Sequence, residues 1–133
     1  MIKEISSVHN DLIKDIIQLQ VKSRVRKKKG LFVIEGLREI NLALASGYTL
    51  KSLLFCEEII LKTDLEKLMA TIDPGKVELI RITLPVYERL AHRKTTEGIV
   101  AVSIVKELFL SDIILNKNPL ILVAEASEKP GNL

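Results

Sequence analysis

The sequence predicts an α/β domain of three layers, a sandwich in which helices cover both faces of a mostly parallel sheet. Two observations carry the prediction. Apolar runs rich in β-formers alternate with amphipathic stretches of helical period from Leu31 to Val105. Turn residues also punctuate the changes of period, at Gly30, Gly36, Gly47 and Asp73-Pro74-Gly75.

The elements follow in order. Leu12, Ile13, Ile16, Ile17 and Leu19 recur at helical spacing behind Asn10 or Asp11 as N-cap, which predicts a helix over 11–22. A basic stretch ends it, and Gly30 releases the chain into Leu31-Phe32-Val33-Ile34-Glu35, a strand of the kind covered on both faces. Gly36 turns into a second helix from Leu37 to about Ser46, closed by Gly47. Leu50 to Phe55 is the next strand, and Glu57 to Ile72 is helical in two short pieces. The Asp73-Pro74-Gly75-Lys76 turn leads to a strand at Val77–Ile82, and Thr83 with Pro85 opens a short helix to His92. After the polar loop 93–98, a fourth strand covers Ile99 to Val105. Residues 1–105 therefore read as one domain, 106–118 as a linker, and 119–133 as the opening of another unit that begins with a strand at Leu120.

Composition narrows the function classes. The 133 residues are 47% hydrophobic and 28% charged, which fits a folded chain and excludes a disordered one. No run approaches the roughly 18 apolar residues of a membrane span, and Met1–Ile5 lacks the plan of a signal peptide, so a cytoplasmic protein without a membrane partner is expected. A single cysteine, Cys56, rules out an internal disulfide and reads as core; with only His9 and His92 beside it, no metal spacing is present. Neither histidine stands in a catalytic pattern, and no nucleophile signature or Walker loop occurs before residue 118.

Charge clustering points to a polyanion. Between Lys22 and Lys29 the chain reads KSRVRKKK, six cations in eight positions at a formal net charge of only +3. Lys22, Arg24, Arg26, Lys27, Lys28 and Lys29 are candidate RNA contacts, joined by Arg38 and by Arg93 and Lys94 in the loop beyond a strand end. If all six cations of the run met phosphates on single-stranded RNA, log K would fall against log salt with a slope of about −4. Aromatic content is 4% with no tryptophan, so backbone and shape recognition is expected rather than base stacking. Glu35, between a strand and Gly36, reads as structural support, paired to an arginine that orders the basic loop.

Four motifs in order carry a resemblance: Ile5-Ser6-Ser7-Val8-His9-Asn10, the basic run into Gly30-Leu31-Phe32-Val33-Ile34-Glu35-Gly36, Thr96-Glu97-Gly98-Ile99-Val100-Ala101-Val102, and Glu128-Lys129-Pro130-Gly131-Asn132-Leu133. Together they resemble the SpoU-type (TrmH-like) RNA ribose 2′-O-methyltransferases of the SPOUT class. The resemblance implies a ribosomal-protein-like RNA-binding domain followed by a knotted catalytic domain that binds S-adenosylmethionine and forms a homodimer, with no metal. It implies rRNA or tRNA as partner, the start of the catalytic domain at Leu120, and an organising role for Asn132 in the first catalytic motif. The family's catalytic arginine would fall beyond Leu133, so residues 1–133 alone are expected to be inactive. Ala126 and Lys129 stand where many members carry a glycine and an acid. The alternatives are a stand-alone RNA-binding protein of the same architecture and a module whose basic stretch meets an acidic protein.

Overall fold

From the N-terminus, the computed structural model, which describes residues 1–92 and 97–125, has β1 at Ile2–Ile5, α1 at Asp11–Val21 and α2 at Ser23–Lys29. There follow β2 (Leu31–Glu35), α3 (Leu37–Ala45), β3 (Leu50–Phe55), α4 (Lys62–Met69), β4 (Glu78–Ile82), α5 (Leu84–Leu90) and β5 (Ile99–Ile104). The strands form one sheet in the order β1-β4-β3-β5-β2.

The α/β class and the helices on both faces are as the alternation predicts, but the sheet is mixed. β1 and β3 pair parallel to β4, whereas β5 pairs antiparallel to both β3 and β2. Four strands thus share one direction, and β5 alone opposes them. After α5 the chain re-enters the sheet from the end it left, where the Cys56 N–H bonds the Gly98 carbonyl at 2.9 Å.

Each element has a local cause. The Asn10 side chain accepts from the Leu12 N–H at 2.9 Å and opens α1. Gly47, at φ 75°, closes α3 while the Tyr48 N–H returns to the Ala43 carbonyl at 2.9 Å. Of the two helical pieces expected over Glu57–Ile72, only α4 is a helix; before it the Ile59 and Ile60 N–H groups close a single turn on the Cys56 carbonyl. β1 has no counterpart in the sequence reading. Only Ile5 of its four residues is buried, and its register with β4, Ile2 opposite Leu79 through Ile5 opposite Ile82, is a tertiary pairing.

Two cores flank the sheet. On one face, Ile13, Ile16 and Leu19 of α1 and Val86, Tyr87 and Leu90 of α5 close over Leu54, Ile80, Val100 and Val102, with Val25 of α2 packed at the side. On the other, Ile40 of α3 and Leu68 of α4 cover Leu53, Phe55, Leu79, Ile99 and Ala101. Cys56 is fully buried in the first core, as expected.

Beyond β5 the chain changes character. A single 3₁₀ turn spans Leu110–Asp112, and no strand partner lies beside Leu120–Ala124 among the described residues. Leu120 and Val123 are 100% and 88% exposed, because an apolar run forms a strand only against a neighbour's ladder. No helix among the described residues is long and apolar enough to cross a membrane.

Burial also shapes a titration. The Tyr87 phenol is enclosed and pushed above its usual range by desolvation; the nearby Gly98 and Ile99 backbone N–H groups oppose the shift, and the charges of Glu35 and Glu97 add to it. The neutral phenol is thus favoured more in the folded state than in the unfolded one. That stability is complete below pH ~10 and is lost as pH rises from there through the folded value. Cys56 acts with the same sign, raised by burial first. Urea midpoints measured against pH should begin to fall above pH ~9, where the Cys56 contribution is lost, and fall further above pH ~10, this second part less steeply in Tyr87→Phe.

Candidate nucleic-acid interface

The basic stretch is not a loop. Residues Ser23–Lys29 form α2, separated from α1 by Lys22, whose extended backbone (φ −119°, ψ 107°) breaks the helix between them. In isolation these seven residues would not hold a helix, since Arg24 and Lys28 repel at i, i+4 and short helices are marginal. Three tertiary anchors and a cap hold it here. Val25 packs on the first core beside Leu31 and Val33. The Arg26 guanidinium donates to the Leu19 and Gln20 carbonyls at 2.8 and 3.2 Å, filling acceptors left open at the end of α1. Lys29 pairs with Asp15 of α1 at 3.5 Å. Gly30 then takes the left-handed conformation (φ 62°) that ends the helix, and four cations in its last turn suit the dipole.

These anchors divide the cations by face. Val25, Arg26 and Lys29 stand at mutual spacings of one, three and four on the side turned to α1 and β2. Arg24, Lys27 and Lys28, three and four apart, stand on the opposite side; they and Lys22 are exposed and engage no ion pair among the described residues. The candidate patch is therefore Lys22, Arg24, Lys27 and Lys28, with Arg26 and Lys29 already committed within the fold.

The beginning of α2 lies near the rim at the C-terminal end of β2. Gln20, just before it, donates to the Leu90 carbonyl at 2.6 Å, and two residues on the His92 N–H donates to Glu35 at 3.1 Å. The partner the structure gives Glu35 here is the His92 backbone, where the sequence suggests an arginine. Glu97, which stands in the third sequence motif without an assigned role, accepts from the Leu37 N–H at the start of α3. Only tertiary contact reveals it.

Arg38 is exposed on α3, which covers the second core, so β2 separates it from the face that α2 covers. Arg93, Lys94 and Asn132 lie outside the described residues. Phe55 and Tyr87 are buried, Phe32 meets Tyr48 edge-on at 5.6 Å with Lys106 lying 4.4 Å over the Tyr48 ring, and Phe109 is exposed in the segment after β5. Among the described residues no group of three His, Cys, Asp or Glu side chains could hold a metal ion.

Comparison with known proteins gives a consistent picture. Residues 10–101 match the family model of the MRM3-like substrate binding domain. No curated protein matches the chain. Among solved structures, an RNA 2′-O ribose methyltransferase superposes with a TM-score of 0.79 at 30% identity, covering 97% of this chain and 48% of that one. The AdoMet-bound rRNA methyltransferase from Sinorhizobium meliloti gives 0.69 at 23% identity, covering 84% of this chain and 40% of that one. The SpoU methyltransferase AviRb from Streptomyces viridochromogenes, in complex with AdoMet, gives 0.70 at 22%, covering 81% and 40%. These last two establish likeness of fold. The chain spans about half the length, or less, of the solved structures it matches.

Proposed function

We propose that this chain, which belongs to the MRM3-like substrate-binding domain family, binds structured RNA for an S-adenosylmethionine-dependent RNA ribose 2′-O-methyltransferase acting on rRNA or tRNA. The observation that carries the reading is the exposed cationic face of α2, set on a domain whose fold is that of RNA methyltransferases. Cations neutralise phosphates and release condensed counterions, so such a face favours a polyanion before any base is read.

The segment after β5 supports the second half of the reading. Leu108, Phe109, Leu110, Ile113, Ile114 and Leu115 are all more than half exposed, as are Leu120–Val123, an apolar surface of the kind that packs against further protein. Leu120–Ala124 carries no side chain able to bond the polar ends of S-adenosylmethionine, so the reading assigns cofactor binding and methyl transfer to the rest of the enzyme. The role of residues 1–105 is to orient: holding the ribose in line with a methyl donor turns a bimolecular encounter into a positioned one.

The test is fluorescence anisotropy of a labelled RNA hairpin titrated with the protein, with an acidic protein of similar charge as competitor. Saturable binding that weakens steeply with salt and survives the competitor is the expected result. Absence of RNA binding at low salt overturns the reading.

A further inference from the structure

Resting on the RNA-binding reading, we infer that Arg24, Lys27 and Lys28 form a phosphate-reading face that grips the backbone of structured RNA without regard to base sequence, while Arg26 and Lys29 take no part in contact. The structure separates the five by what each already touches. Arg26 spends its guanidinium on the Leu19 and Gln20 carbonyls, and Lys29 spends its ammonium on Asp15. Arg24, Lys27 and Lys28 have no such partner among the described residues, and they crowd like charge onto one side of a seven-residue helix. That crowding opposes folding and returns no contact inside the protein. An anion from outside is what relieves it.

The geometry also states how the anion is read. Arg24 and Lys28 are four residues apart, about 6 Å along the helix axis, a reach suited to neighbouring phosphates of one strand rather than to a single base edge. Arg24 can hold a phosphate through two parallel N–H groups, and the lysines act as mobile point charges beside it. Helix α2 itself carries no aromatic residue to receive an unstacked base, and Phe55 and Tyr87 are buried while Phe32 and Tyr48 pack on each other. Binding here is therefore electrostatic and indifferent to base sequence, and base selection falls to other parts of the enzyme.

The experiment compares salt slopes. The wild type, the triple variant Arg24→Gln/Lys27→Gln/Lys28→Gln and the single variant Lys29→Gln are titrated onto one RNA hairpin over a series of salt concentrations. The wild type is also titrated onto a second hairpin of the same shape and a permuted sequence. The triple variant should bind more weakly, with its slope of log K against log salt reduced in magnitude by about 2–3. Lys29→Gln should keep the wild-type slope, and the two hairpins should bind equally. A triple variant with the wild-type slope overturns the inference, as does a Lys29→Gln loss as large as a third of the triple effect, or a strong preference between the hairpins. If the wild type binds neither hairpin, the RNA-binding reading itself fails. Circular dichroism of the triple variant, whose changed side chains are all exposed, separates lost contacts from lost fold.

Discussion

Gly98→Ala is expected to lower stability by roughly 3 kcal/mol, the sum of a left-handed backbone and a clash with main chain. Gly98 has φ 74°, and a Cβ added there would lie 2.7 Å from the Ile60 nitrogen and 2.8 Å from the Ile59 Cβ. Neither neighbour is the loose end of a side chain. Both belong to the turn between β3 and α4, whose amides already bond the Cys56 carbonyl, so relief would require moving the end of the central strand. Gly30→Ala is the matched control: its φ is 62°, yet nothing lies within 4 Å of the added methyl, so only the backbone term of ~1–2 kcal/mol applies. Thermal unfolding followed by circular dichroism should place Gly98→Ala about 10 °C or more below wild type, and Gly30→Ala between the two. Equal losses in the two variants would show that the close approach at Gly98 does not matter.

Leu54→Ala should cost about as much or more, in the range of ~2–5 kcal/mol for a buried leucine that leaves a cavity. Leu54 is fully buried on β3, the middle strand, with Ile80 opposite it on β4 and Val100 opposite it on β5. Its neighbours in the first core come from both α1 and α5, and its own backbone is fixed by ladders on both sides, so little can move in to fill the space. Leu54→Met, which nearly conserves volume, should lose less than ~1.5 kcal/mol. The denaturant midpoint should fall at unchanged slope in both variants; a loss for the alanine no greater than for the methionine would mean that the core collapses around the site.

How much of this was legible in the sequence differs by element, and the differences have physical causes. The continuous apolar runs of β2, β3, β4 and β5 and the 3.6-period stripe of α1 are local properties of the chain, and each is legible in the sequence. β1 was not, since three of its four residues are exposed and only its register with β4 makes it a strand. The candidate site was legible as a cluster of charge but not as a surface. Sequence placed six cations together between Lys22 and Lys29; it could not say that Arg26 folds back on α1 or that Lys29 meets Asp15, because those partners are set by packing. Glu97 at the start of α3 lay equally out of reach, sixty residues from the Leu37 amide it receives.

The α/β class, the alternation of elements from Leu31 onward, the buried cysteine and the concentrated positive charge are legible in the sequence, since all of these depend on residue type and short-range spacing. The direction of β5, the helical state of Ser23–Lys29 and the availability of its cations come from contacts distant in the chain. Those depend on where the chain returns and what it meets there. Charge is carried by the residue, but its availability is decided by the neighbours that folding supplies.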